Sequence, residues 1–170
     1  DRYGAVAIAF HWISALLILV LLGTGFVAAG MQDMATKASL LTGHATAGSI
    51  FLLLTLARIG WWLFADRRPV DPAGTPAIQA KAAHGVHLVL YLLVLVMAAS
   101  GIAMLAMSGA AAILFFGAPG ALPDFPASPP RAAHGIGAFA LAALIVLHVA
   151  AALHHQLIRR DRLMARMGLG

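Results

Sequence analysis

Hydrophobic residues in this chain fall into four long runs rather than alternating with polar ones. The runs lie near residues 8–29, 44–64, 86–107 and 134–155. Each is long enough to cross a bilayer as a helix, which takes about 20 residues. The eight prolines all fall outside the runs: Pro69, Pro72 and Pro76 in the second connection, and Pro119, Pro123, Pro126, Pro129 and Pro130 in the third. Unbroken membrane helices require that placement, because proline removes a backbone donor that lipid cannot replace. No internal repeat and no soluble domain is apparent. The pattern therefore predicts an all-α membrane protein, with one transmembrane domain over 1–170 folded as a four-helix bundle.

Composition sharpens this reading. Hydrophobic residues make up 62% of the 170 positions and charged residues 10%, with no glutamate. Soluble domains run nearer 45–50% apolar and about 25% charged. So few charges cannot coat a water-exposed surface, and lipid is the expected partner. A formal charge of +5 does not point to nucleic acid, because the basic residues flank apolar runs and form no separate basic domain. The absence of cysteine excludes disulfides, thiolate metal sites, iron–sulfur clusters and covalent haem attachment. The first run contains a histidine and no small-residue cleavage site, so it reads as a retained helix. An initiator methionine or short N-terminal piece is expected ahead of Asp1.

Lysine and arginine set the expected direction. Arg2, Arg58, Arg67, Arg68, Lys81, Arg159, Arg160, Arg162 and Arg166 belong to the N-terminus, second connection and tail, against Lys37 and Arg131 in the other two connections. By the positive-inside rule both termini are cytoplasmic. Trp12, Trp61 and Trp62 then sit at the inner interface, and Ile113–Phe116 rests on the outer surface.

Eight histidines in so apolar a chain are the candidate chemistry: His11, His44, His84, His87, His134, His148, His154 and His155. Ionisable groups inside membrane helices are costly and functional by default. His134 and His148 are separated by about four helical turns less 40°, so both lie on one face, about 21 Å apart along the axis. They cannot share one metal ion but suit two sites stacked across the membrane. Depth pairs His11, near the inner start of the first helix, with His148. It pairs His44, taken as the outer start of the second helix, with His134. Two imidazoles fill both axial positions of a haem iron, which leaves electron transfer rather than oxygen binding. Gly25 follows His11 by the same interval and faces the outer pair, and Gly48 lies a turn below His44. Arg58 follows His44 by that interval too, pointing to the inner pair, where a guanidinium suits a propionate. His87 rivals His11 for the inner site, since Gly101 follows it at the same spacing and imitates the stripe. A histidine proton relay needs no such register, and zinc needs ligands clustered at one depth. Small residues also serve plain helix packing, and Arg58 also suits an interfacial anchor.

These residues resemble the bacterial cytochrome b561 family over nearly the whole chain. The carrying segments are YGAVAIAFHW at 3–12, GHATAG around His44, AAHGVHLVLYLL at 82–93 and HGIGAFALAALIVLHVAAALHHQLIRRD at 134–161. The resemblance implies a four-helix inner-membrane protein with two haem b groups that exchanges electrons with ubiquinone. The family's ligand positions correspond to His11, His44, His134 and His148. Some similar members oxidise superoxide on the outer side and reduce ubiquinone; others pass electrons between quinol and protein redox partners. The tail histidine pair stands one residue earlier than the family pattern. His155 returns to the ligand stripe two turns after His148, whereas His154 lies about 100° away. His155, His84 and His87 are the candidate quinone or propionate contacts at the inner end. The competing readings are a haem b membrane anchor or electron conduit for a dehydrogenase or hydrogenase, and a haem-free transporter or structural bundle.

Overall fold

A computed structural model describes residues 2–65, 69 and 75–169. Arg67, Arg68 and Pro72, which enter the charge and proline arguments, lie outside the described residues. Four long helices form the body: α1 (Ala5–Gly30), α2 (Met34–Phe64), α3 (Ala77–Ser108) and α5 (Pro130–His154). A short helix, α4 (Ala110–Phe116), lies between α3 and α5. Among the described residues there is no strand. The four long helices are long and apolar enough to cross a membrane, the last counted through Arg159.

All four helices start ahead of the expected positions. The second is extended most, beginning at Met34 rather than 44. Hydropathy registers only the lipid-soluble part, whereas a helix continues until its backbone finds another solution. Here Asp33 provides the start, its carboxylate accepting the Thr36 backbone N–H at 2.7 Å, as an N-cap residue does. His44 therefore sits almost three turns inside α2 rather than at its start. Pro76 stands at the N-cap position of α3 without a side-chain hydrogen bond, and Pro130 occupies the first turn of α5, where a missing N–H costs nothing. Gly109 and Gly117, at φ of 74° and 66°, bracket α4. That helix contains Ile113–Phe116 and touches α2 through Thr42 Oγ1, which donates to the Leu114 carbonyl at 3.4 Å.

The outer surface of the long helices is apolar. Leu16, Leu53, Phe139 and Val146 are 66%, 67%, 69% and 69% exposed; water would penalise such a surface and lipid does not. Hydroxyls inside the helices bond back to their own backbone, as Thr46 does to Thr42 O and Thr55 to Phe51 O, both at 2.8 Å. That satisfies them where no water is present.

The centre of the bundle is a thin apolar layer of Phe51, Val94 and Leu141, with Ile18, Leu21, Leu54, Leu90 and Ile145 around it. Its register is regular. Phe51 is midway between His44 and Arg58, Leu141 midway between His134 and His148, Val94 midway between His87 and Gly101, and Ile18 midway between His11 and Gly25. Each midpoint lies about two turns from either end, so each helix turns one stripe inward, with a polar or glycine position on either side of the apolar layer. α1 packs chiefly on α2, and α3 on α5.

Both termini lie at one end. The tail forms a π turn at His155–Arg159 and a short 3-10 helix at Leu163–Met167, then closes on the start of α1. Tyr3 N–H donates to the Arg166 carbonyl at 3.1 Å, and Trp12 Nε1–H to the Met167 carbonyl at 2.9 Å.

Candidate functional site

The stripes bring the histidines together in two layers. At the end away from the termini, His44 of α2 faces His134 of α5 with ring centres 6.2 Å apart. At the terminal end, His11 of α1 faces His148 of α5 with ring centres 6.4 Å apart. The two pairs share α5, on which His134 and His148 are separated by about 21 Å of helix rise.

The far layer is fixed by close packing and hydroxyl contacts. Gly25 of α1 lies so near His44 that a Cβ there would meet its Cε1 at 3.1 Å, and a Cβ at Gly101 of α3 would meet His134 Cε1 at 3.3 Å. Thr24 Oγ1 and Ser100 Oγ each lie 3.0 Å from Nδ1 of the adjoining histidine. These hydroxyls escaped the sequence reading. The signal for them is a hydroxyl–glycine pair, Thr24–Gly25 and Ser100–Gly101, with the glycine about four turns after His11 and His87.

The terminal layer is more crowded and more charged. His87 of α3 also reaches His148, at 5.3 Å between ring centres. Arg58 of α2 enters as its register predicts: Nη2 lies 3.4 Å from His11 Nδ1, a long contact, and the guanidinium lies 5.5 Å from the Tyr91 ring centre. His84, one turn before His87, is exposed.

His155 stands apart from these pairs, where α5 widens into the π turn. Its Nδ1 bonds Asp161, and its Nε2 lies 2.8 Å from the Gln79 side-chain nitrogen, whose amide oxygen accepts from Arg159 at 3.1 Å. An amide nitrogen only donates, so Nε2 accepts and Nδ1 carries the hydrogen shared with Asp161. Partial burial acts against the Asp161 carboxylate, but the His155 and Leu163 N–H bonds and the Arg159 charge outweigh it and hold Asp161 below its ordinary value. His154 turns away, its ring edge-on to His155 at 5.9 Å. Gln79 and Asp161 were not anticipated from sequence, because they lie 76 residues before and 6 residues after His155.

Imidazoles inside the bundle form one pair at the far layer and, with His87 beside His148, a group of three at the terminal layer. Among the described residues, no three histidine, aspartate or glutamate side chains converge as a protein-only metal site requires. Paired imidazoles suit a metal whose other ligands come from a macrocycle, as in haem. Imidazole nitrogens bind first-row metals at about 2.0–2.1 Å, and the ring centre lies about 1.1 Å behind, so two rings on opposite sides of one ion have centres about 6.2–6.4 Å apart. His44–His134 and His11–His148 have that separation, and His87–His148 is too close. The residues present thus fit two haem groups.

The chain is similar to known proteins along nearly its whole length. A family profile described as prokaryotic cytochrome b561 matches residues 2–170. The chain is also similar to cytochrome b561 homolog 2 of Escherichia coli (strain K12), with 30% identity over 174 residues, spanning 98% of this chain and 91% of that protein. With the match running from end to end and four membrane-length helices, this chain belongs to the prokaryotic cytochrome b561 family, multi-pass membrane proteins that transfer electrons on haem b.

Proposed function

We propose that the protein holds two haem b groups, one between His44 and His134 and one between His11 and His148, and carries electrons across the bacterial inner membrane to ubiquinone. The observation that supports this most is the pair of imidazole separations, 6.2 and 6.4 Å, set about four turns apart along one helix. When bound, haem b supplies an iron that alternates between ferrous and ferric states. The chain's own groups do the rest. The four histidines would hold the two irons, His44 with His134 and His11 with His148. Arg58 supplies a positive charge for a propionate at the terminal layer. The apolar layer of Phe51, Val94 and Leu141 keeps water from joining the two sites.

In this reading both termini are cytoplasmic, so His11–His148 is the inner pair and His44–His134 the outer. Superoxide is the proposed electron donor on the outer side. Ubiquinone binds at the inner end, where His155, His84 and His87 gather. A quinone carbonyl, which only accepts, takes the place of the donating Gln79 amide once Nε2 has picked up a proton, so that His155 donates through both nitrogens, to the carbonyl and to Asp161. Nδ1 remains on Asp161, which holds the ring oriented while a proton passes.

Haem content and kinetics test the reading. Purified protein should carry two haems per chain. His134→Ala and His44→Ala should each leave one, as should His11→Ala and His148→Ala. Retention of both haems in His11→Ala, with loss of one in His87→Ala, would reassign the inner ligand. In stopped flow, superoxide should reduce the wild type and a short-chain ubiquinone should reoxidise it. His155→Ala should keep both haems reducible while its oxidation by quinone slows by tenfold or more, the lower end of a general acid's contribution being about 100-fold.

A further inference from the structure

The outer histidines share a feature that the inner ones lack. Thr24 of α1 and Ser100 of α3 place a hydroxyl 3.0 Å from Nδ1 of His44 and His134 respectively. Each comes from the neighbouring helix of its pair, and each precedes the glycine against which the ring packs. A hydroxyl has one hydrogen to give. In both cases a carbonyl of the preceding turn takes it: Thr24 Oγ1 bonds Val20 O at 2.8 Å and Ser100 Oγ bonds Met97 O at 3.1 Å. Each oxygen is left as an acceptor, so the hydrogen between it and the imidazole sits on Nδ1. A neutral imidazole protonated at Nδ1 has its free lone pair on Nε2 alone. At the inner layer, His11 Nδ1 instead faces Arg58 Nη2 at 3.4 Å, a group that only donates.

We infer that Thr24 and Ser100 are positioning residues that fix Nε2 as the ligating atom of His44 and His134 and raise its donor strength, an inference resting on the haem reading above. An acceptor on Nδ1–H gives the ring anionic character and makes it a stronger ligand. A stronger ligand favours ferric over ferrous iron, so these hydroxyls hold the outer potential down relative to the inner one. Electrons arriving at the outer site are thereby driven inward.

Redox titration of the visible spectrum tests this, with the outer haem identified as the one missing in His134→Ala. Thr24→Val, which keeps shape and removes the acceptor, and Ser100→Ala should each shift the outer midpoint upward and leave the inner midpoint in place. Each should also lose the outer haem to excess apomyoglobin about tenfold faster. Thr24→Ser and Ser100→Thr should restore wild-type values. An unmoved inner midpoint in the same sample certifies an intact bundle, and Ser100→Ala carries the test if Thr24→Val does not accumulate. Unmoved outer midpoint and retention in these variants, with both haems present, overturn the inference alone. A Thr24→Ser shift as large as that of Thr24→Val also overturns it, because packing would then be the cause. A wild type without haem overturns the haem reading and the inference together.

Discussion

Gly25 and His44 are so close that a single methyl group would meet the imidazole at 3.1 Å, nearer than ordinary carbon–carbon contact. Gly25→Leu should therefore displace His44 and cost most of the outer haem, while Gly23→Leu, with nothing within 4 Å of its Cβ position, should retain it; haem content per chain distinguishes them. Gly101→Leu should act on His134 in the same way. Arg58 is the counterpart at the inner layer. Register places it about four turns below His44, and the structure brings it to His11 and Tyr91. Arg58→Leu should shift only the inner midpoint, downward, since a positive charge beside a haem favours its reduced state. A redox titration with neither midpoint changed would leave Arg58 an interfacial charge.

At the scale of elements, the early start of α2 depends on one carboxylate. The Thr36 side chain and backbone N–H stabilise the ionised form of Asp33 and hold it below its ordinary value of 3.8. Because the folded value is depressed, the cap's contribution is complete above the ordinary aspartate range and is lost as pH falls through the lower folded value. Asp33→Ala should make the amides of Thr36 and Lys37 exchange with deuterium several-fold faster, and Asp33→Asn, which keeps an acceptor, should not. In the wild type, protection of the same amides should hold as pH falls from neutral to the ordinary aspartate range and be lost only below it. The π turn after His154 is a second element with local consequences. It re-aims the chain so that Asp161 returns to His155, a reach that a continuing α-helix would not allow.

For the whole molecule, an even number of crossings places both termini on one side, and the Tyr3–Arg166 and Trp12–Met167 contacts join them there. In the orientation proposed above, the nine-to-two distribution of basic residues puts that side in the cytoplasm. A reporter fused after Leu169 should be active only as a cytoplasmic type, and one inserted at Gly120 only as a periplasmic type. The opposite pattern would exchange the inner and outer sites. Truncation after Arg159 removes Asp161 and the tail clasp. It should slow quinone reduction about as much as His155→Ala while leaving both haems in place.

Much of this was legible in the chain itself. Four runs of about 20 apolar residues permit only membrane helices, because lipid offers no partner for an unpaired backbone. A helix has a fixed rise and twist, so the recurring spacing of about four turns placed His134 and His148 on one face at two depths, and Arg58 below His44. The helix starts were less legible, since capping by Asp33 extends α2, and α3 starts directly after Pro76, both beyond the apolar runs that hydropathy registers. Contacts between helices were decided only by the tertiary structure. Sequence left His11 and His87 as rivals, and lateral packing gave them ring separations of 6.4 and 5.3 Å from His148. Sequence saw no internal repeat, yet folding places Thr24–Gly25 on His44 and Ser100–Gly101 on His134 in the same way. Periodicity fixes which way a residue points on its own helix. Which neighbour meets it depends on how helices pack side by side, and that is settled by the shapes of many side chains at once.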